Sequence, residues 1–70
     1  MESTRLYQKI ADDIKQKIRD NTYPIGHQLP PERDFAAQLG VSRTSVREAI
    51  IALEVSGWVD VKVGSGVYVK

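Results

Sequence analysis

The chain has 70 residues, no cysteine, 41% hydrophobic residues and a formal net charge of +1. That length makes one small domain burying about 60% of its unfolded surface, and the hydrophobic share is that of a folded chain. A disulfide framework, thiolate metal sites and a blanket polyelectrolyte binder are excluded, and the longest unbroken apolar run, Ala49 to Leu53, is too short for a membrane span or a signal sequence. A cytoplasmic location, with no membrane, is the simplest expectation.

Met1 to Thr4 carry no pattern and read as a loose end. From Arg5 to Asn21, Leu6, Ile10, Ile14 and Ile18 recur every four residues with Tyr7 and Ala11 beside them, which predicts an amphipathic helix. Lys9, Lys15, Lys17 and Arg19 fall mainly off that stripe and form a solvated face. Pro24 ends the helix, because proline disfavours helical geometry in the residue before it. Ile25 to Pro31 is a turn and a short extended piece. Pro31 then fits the first turn of a second helix, where Glu32 and Asp34 suit the positive end. Phe35, Ala36 and Leu39 give that helix a buried side, and Gly40 is placed to stop it in a left-handed cap.

Only Val41 and Ser42 separate Gly40 from a third helix. Ser42 has the oxygen to cap it, and Val46, Ala49, Ile50 and Leu53 form one stripe. Arg43, Thr44 and Arg47 face the other way, and no acidic residue lies between Ser42 and Arg47. A guanidinium fork fits guanine O6 and N7 or a phosphate, and hydroxyls with free N–H groups at a helix start suit phosphate oxygens. Glu32, Asp34, Glu48, Glu54 and Asp60 surround the arginines and confine positive potential to a narrow face. Helix, glycine turn and helix at this spacing is a helix-turn-helix, its last member reading as a recognition helix that enters a DNA groove N-terminus first.

Gly57 is a second C-cap, after which the period changes to 2, with Val59, Val61, Val63, Val67 and Val69 in phase around Gly64-Ser65-Gly66. A three-residue loop at residues 64–66 pairs Val63 with Val67 and Val61 with Val69, and sets Lys62 opposite Tyr68 and Asp60 opposite Lys70. The expected fold is α+β: a winged helix-turn-helix of three helices, a short strand and a C-terminal β-hairpin wing. The rival fold, a helical bundle with a decorative hairpin, does not account for five alternating valines.

Catalysis finds no constellation. His27 is the lone histidine and sits in a turn, Asp12 and Asp13 point to different sides of a helix, and Ser65 lies in a hairpin tip rather than a strand-to-helix elbow. No enzyme activity is expected. A winged helix that binds protein or RNA is the alternative reading, and Ile51 and Val55, beyond the main stripe, are expected to pack on the wing or on a partner domain.

Four segments together resemble one family. Tyr23-Pro24-x-Gly26-x-x-Leu29-Pro30-Pro31-Glu32-Arg33, Val41-Ser42-Arg43-Thr44-x-Val46-Arg47-Glu48-Ala49, Leu53-x-x-x-Gly57 and Gly64-x-Gly66-x-x-Val69 are similar to the N-terminal domain of GntR-type bacterial transcription regulators. Arg47-Glu48-Ala49 resembles the branch with an all-helical second domain. Arg5-Leu6-Tyr7 and Ala49-Ile50-Ile51-x-Leu53-Glu54 resemble its hexuronate-type members.

The resemblance implies a transcription regulator, repressor or activator, that binds double-stranded operator DNA with an inverted repeat. It implies that Arg33 reaches DNA beside the recognition helix, that Arg43 and Arg47 contact guanine edges or phosphate in the major groove, and that Ser42, Thr44 and Ser45 grip phosphates. It implies as well that Gly64, with Ser65 and Gly66, forms a wing tip that enters the minor groove. Val63 and Ser65 replace basic or His residues of some relatives, so wing affinity should be lower and less salt-dependent. No cofactor is implied in this domain. A homodimer and a small-molecule effector, a sugar acid or other carboxylate, belong to a C-terminal ligand-sensing domain absent from residues 1–70, which are expected to be an excised DNA-binding domain.

Overall fold

The computed structural model describes residues 2–70, with side chains from residue 6 onward. Met1 lies outside the described residues. Three helices, α1 (Glu2–Arg19), α2 (Glu32–Leu39) and α3 (Arg43–Val55), precede an antiparallel hairpin of β1 (Val59–Lys62) and β2 (Gly66–Val69).

α1 begins at Glu2, earlier than the apolar repeat indicates. No proline or glycine interrupts residues 2–5, and each residue added to a nucleated helix gains a backbone bond. It ends at Arg19 without help from Pro24. Asn21 takes a left-handed φ of 69°, so that its own N–H reaches the Ile18 carbonyl at 3.2 Å and the Thr22 N–H reaches Lys17 at 2.8 Å. Asp20 then accepts from the Thr22 hydroxyl and N–H, and these bonds hold its carboxyl below the usual carboxylate range.

α2 starts one residue later than expected, with Pro31 as its N-cap, and stops at Gly40. At φ 68° the Gly40 N–H bonds the Ala36 carbonyl, and the Val41 N–H joins it at 3.0 Å. This turn aims α3 across α2. α3 closes on Gly57 (φ 84°), whose N–H bonds Glu54 while that of Trp58 bonds Leu53.

The core is one cluster. Ile10, Ala11 and Ile14 of α1 meet Val46, Ala49, Ile50 and Leu53 of α3, and Leu29, Phe35, Ala36, Val59 and Val69 close it. Tyr23 packs edge-on against Phe35, with ring centroids 6.0 Å apart. Ile51 and Val55 do not pack on the wing; they are 51% and 82% exposed.

The hairpin register differs from the sequence expectation by two residues. Val59 faces Val69, Asp60 faces Tyr68, Val61 faces Val67 and Lys62 faces Gly66. A slip of two preserves the faces, so four valines stay inward. Val63 is lost to the loop, where it is fully exposed. Two features set this register. The Ser65 N–H bonds the Lys62 carbonyl at 2.9 Å, closing a turn whose third residue, Gly64, has φ 80°. On the other edge β2 is gripped by the loop before α2, through Gly26 N–H to Val69 O, Val69 N–H to His27 O and Leu29 N–H to Val67 O, at 2.8, 2.9 and 2.7 Å. The short extended piece therefore lies along the free edge of the two-stranded sheet, joined to it by an isolated bridge between Gln28 and Tyr68.

Candidate nucleic-acid interface

The first turn of α3 is built on its cap. Ser42 is extended (φ −75°, ψ 152°), and its Oγ accepts the Ser45 N–H at 3.1 Å. Behind it the stripe of Val46, Ala49, Ile50 and Leu53 is buried, so the helix has only one face to offer. Arg43, Thr44 and Arg47 are exposed on that face, and the first turn holds no acidic residue. Arg33 is exposed in the first turn of α2, which packs against α3.

Ser45 is placed differently from its expected role. It is 5% exposed, and its hydroxyl lies 2.9 Å from that of Ser42. It sits one residue before Val46 on the rim of the buried stripe, and its hydroxyl joins that of the capping Ser42.

Arg47 is not free either. Its guanidinium approaches the Glu32 carboxylate at 3.5 Å, pinning α3 to the start of α2. Among the described residues, Arg33 and Arg43 make no ion pair. Arg33, Ser42, Arg43, Thr44 and Arg47 are thus all exposed at the starts of α2 and α3, with Arg47 paired to Glu32.

The wing tip is a second group. Gly64 and Ser65 are exposed and Gly66 is half-buried. Ser65 Oγ shares a hydrogen bond of 2.8 Å with the Tyr68 hydroxyl, and Gln28 Nε2 donates to the Ser65 carbonyl at 3.0 Å. Lys62 lies 5.7 Å over the Tyr68 ring, the contact anticipated from sequence but reached diagonally, since the residue opposite Tyr68 is Asp60. Among the described residues no hydrogen bond or ion pair joins this group to the first. Glu32, Gln28 and Tyr68 were not among the DNA-contacting residues expected from sequence. Tyr68 is legible as the out-of-phase residue among valines, whereas no local pattern ties Gln28 to a loop 37 residues away.

The sequence pattern that defines the bacterial regulatory proteins of the gntR family matches residues 6–69. The chain is 53% identical over 68 residues to the Exu regulon transcriptional regulator of Escherichia coli K12, covering 97% of this chain and 26% of that protein. To the Uxu operon regulator of Haemophilus influenzae it is 52% identical over 65 residues, covering 93% and 24%. It therefore spans about a quarter of the length of these curated relatives. Among solved structures, the AraR DNA-binding domain in complex with operator ORR3 superposes with a TM-score of 0.89 at 28% identity, over 93% of this chain and 78% of that one. A GntR family transcriptional regulator from Listeria monocytogenes gives 0.88 at 30% identity, over 91% and 56%. The fold is a winged helix-turn-helix, and the chain belongs to the gntR family of bacterial regulatory proteins.

Proposed function

We propose that this chain is the DNA-binding domain of a bacterial transcription regulator that reads a duplex operator sequence-specifically. The observation that carries the reading is the first turn of α3, where a capped, acid-free helix start projects Arg43, Thr44 and Arg47 from a helix whose other side is buried. A helix of this width fits the major groove, with its N-terminal residues against base edges. Arg33 flanks it on the phosphate side, and the exposed tip at Gly64 and Ser65 takes the adjacent minor groove. Ser42 and Thr44 offer hydroxyls to phosphate, while Ser45 contributes its backbone N–H to the cap and stays inside. The AraR domain, solved with operator DNA, supports duplex DNA as the ligand.

The relatives are named as transcriptional regulators, which supports a regulator rather than an enzyme, working in the cytoplasm where the DNA is. The Exu and Uxu names of those relatives support a hexuronate-type regulator, with a sugar-acid effector and a homodimer interface in a further domain. Selection of bound sequences from a random duplex pool tests the reading. A shared motif of a few base pairs is the expected result. Recovery of unrelated duplexes, or tighter binding to RNA than to any duplex DNA, would overturn it.

A further inference from the structure

The wing tip is held from outside the hairpin. Gln28 is fixed by its backbone neighbours, which bond β2 through His27 and Leu29, and it bridges Tyr68. From there its side-chain amide donates to the Ser65 carbonyl at 3.0 Å. The same amide fills the space that a side chain at residue 66 would need: a Cβ there would meet Gln28 Nε2 and sit 3.1 Å from Cδ. Gly66 is therefore favoured by its φ of 143°, and a side chain there would push the exposed end of Gln28 aside. Little else restrains the tip. Val63, Gly64 and Ser65 are exposed, and among the described residues the Lys62–Ser65 turn and the Ser65–Tyr68 hydroxyl pair are the other bonds that tie them down.

We propose that Gln28 is a positioning residue for DNA binding, ordering the wing tip before DNA arrives. This rests on the reading that the tip touches DNA. Two glycines in three residues give the free tip many conformations, and a site that is binding-competent for only a fraction of the time loses apparent affinity by that fraction. One side-chain hydrogen bond shifts such a fraction by roughly three- to tenfold.

The test uses Gln28→Ala and Gln28→Met, the second keeping bulk while losing the donor. Amide relaxation at residues 64–66 is measured in the free chain. Affinity is measured for the duplex that the wild-type chain recovers from a random pool, with Gly64→Glu run alongside. Order parameters at the tip should fall from about 0.85 toward 0.6. Affinity should weaken roughly three- to tenfold with an unchanged salt slope, because no charge is removed. Unchanged tip order in both variants, or a loosened tip with wild-type affinity, overturns the role of Gln28 when Gly64→Glu itself binds weakly. Wild-type binding by Gly64→Glu instead overturns the reading that the tip meets DNA, and the positioning role falls with it.

Discussion

At the scale of single residues, the serines of the turn separate two roles that look alike in sequence. Ser42 caps α3 and is exposed; Ser45 is buried and bonded to it. Ser42→Ala removes the oxygen that satisfies the Ser45 N–H, and should cost about 1–2 kcal/mol. For a domain this size that is a fall of roughly 4–8 °C in melting temperature per kcal/mol. Ser42→Asp keeps a capping oxygen, so melting should stay near wild type while a negative charge beside the phosphates weakens DNA binding. Equal binding by Ser42→Asp and wild type would place phosphates away from this turn. The arginines are tested differently. Arg43→Ala and Arg47→Ala should leave the circular dichroism unchanged and lose specific binding, a good bidentate base contact being worth about 1–3 kcal/mol. Because Arg47 also pairs with Glu32, Glu32→Gln should raise binding to mixed-sequence duplex while narrowing the preference for the selected one. Normal specific binding by both alanine variants would remove α3 as the reading helix.

At the scale of elements, the wing makes the sharpest contrast. Gly64 has φ 80° with open space around it, whereas Gly66 combines φ 143° with the Gln28 amide. Gly64→Glu should weaken binding to all duplexes through charge and bulk at the tip, and should also lower melting, because a side chain at φ 80° carries about 1–3 kcal/mol of backbone strain. Gly66→Ala should also lower both, its backbone strain of the same order being joined by the displacement of Gln28. Similar melting for the two variants would show that Gln28 yields freely. How far these elements were legible follows from their physics. The helices and the inward face of the hairpin announce themselves through period 3.6 and period 2, and Gly40, Ser42 and Gly57 mark their ends locally. The register was not local. It depends on residues 26–29 bonding the far edge of β2, and a two-residue slip leaves the valine faces the same, so alternation alone cannot choose. The exposed arginines of the candidate interface could be read from the helical wheel. The Glu32–Arg47 pair could not, since it depends on how α2 crosses α3, whereas the inward turn of Ser45 is local, four residues before the buried Ala49 and bonded to Ser42.

At the scale of the whole molecule, the decisive quantity is how much apolar surface remains for a second copy. The α1 stripe is spent on α3, and among the described residues the large exposed hydrophobics are Ile25, Ile51, Val55 and Val63. Ile51 and Val55 share one shallow groove with Tyr7 and Ala52, while Val63 is at the wing tip and Ile25 in the loop before α2. A stable interface covers about 800 Å² per partner. That is a large share of a molecule exposing 4705 Å² in all, and one groove with two exposed side chains is a small part of it. The bare chain should therefore sediment as a monomer and cover one half-site, with an affinity of about micromolar. Joining two copies makes the second contact intramolecular, and can raise avidity roughly 10²- to 10⁴-fold with no new contact to DNA. Fusion to an unrelated dimeric helix through a linker that spans the sites should accordingly restore tight binding to an inverted repeat, but not to a single half-site. Sedimentation reports the mass, and titration against single and paired half-sites reports the two affinities. A tight dimer of the bare chain without DNA would contradict this and would assign the Ile51–Val55 groove an interface of its own; equal affinity of the fusion for one and two half-sites would rule out the inverted repeat.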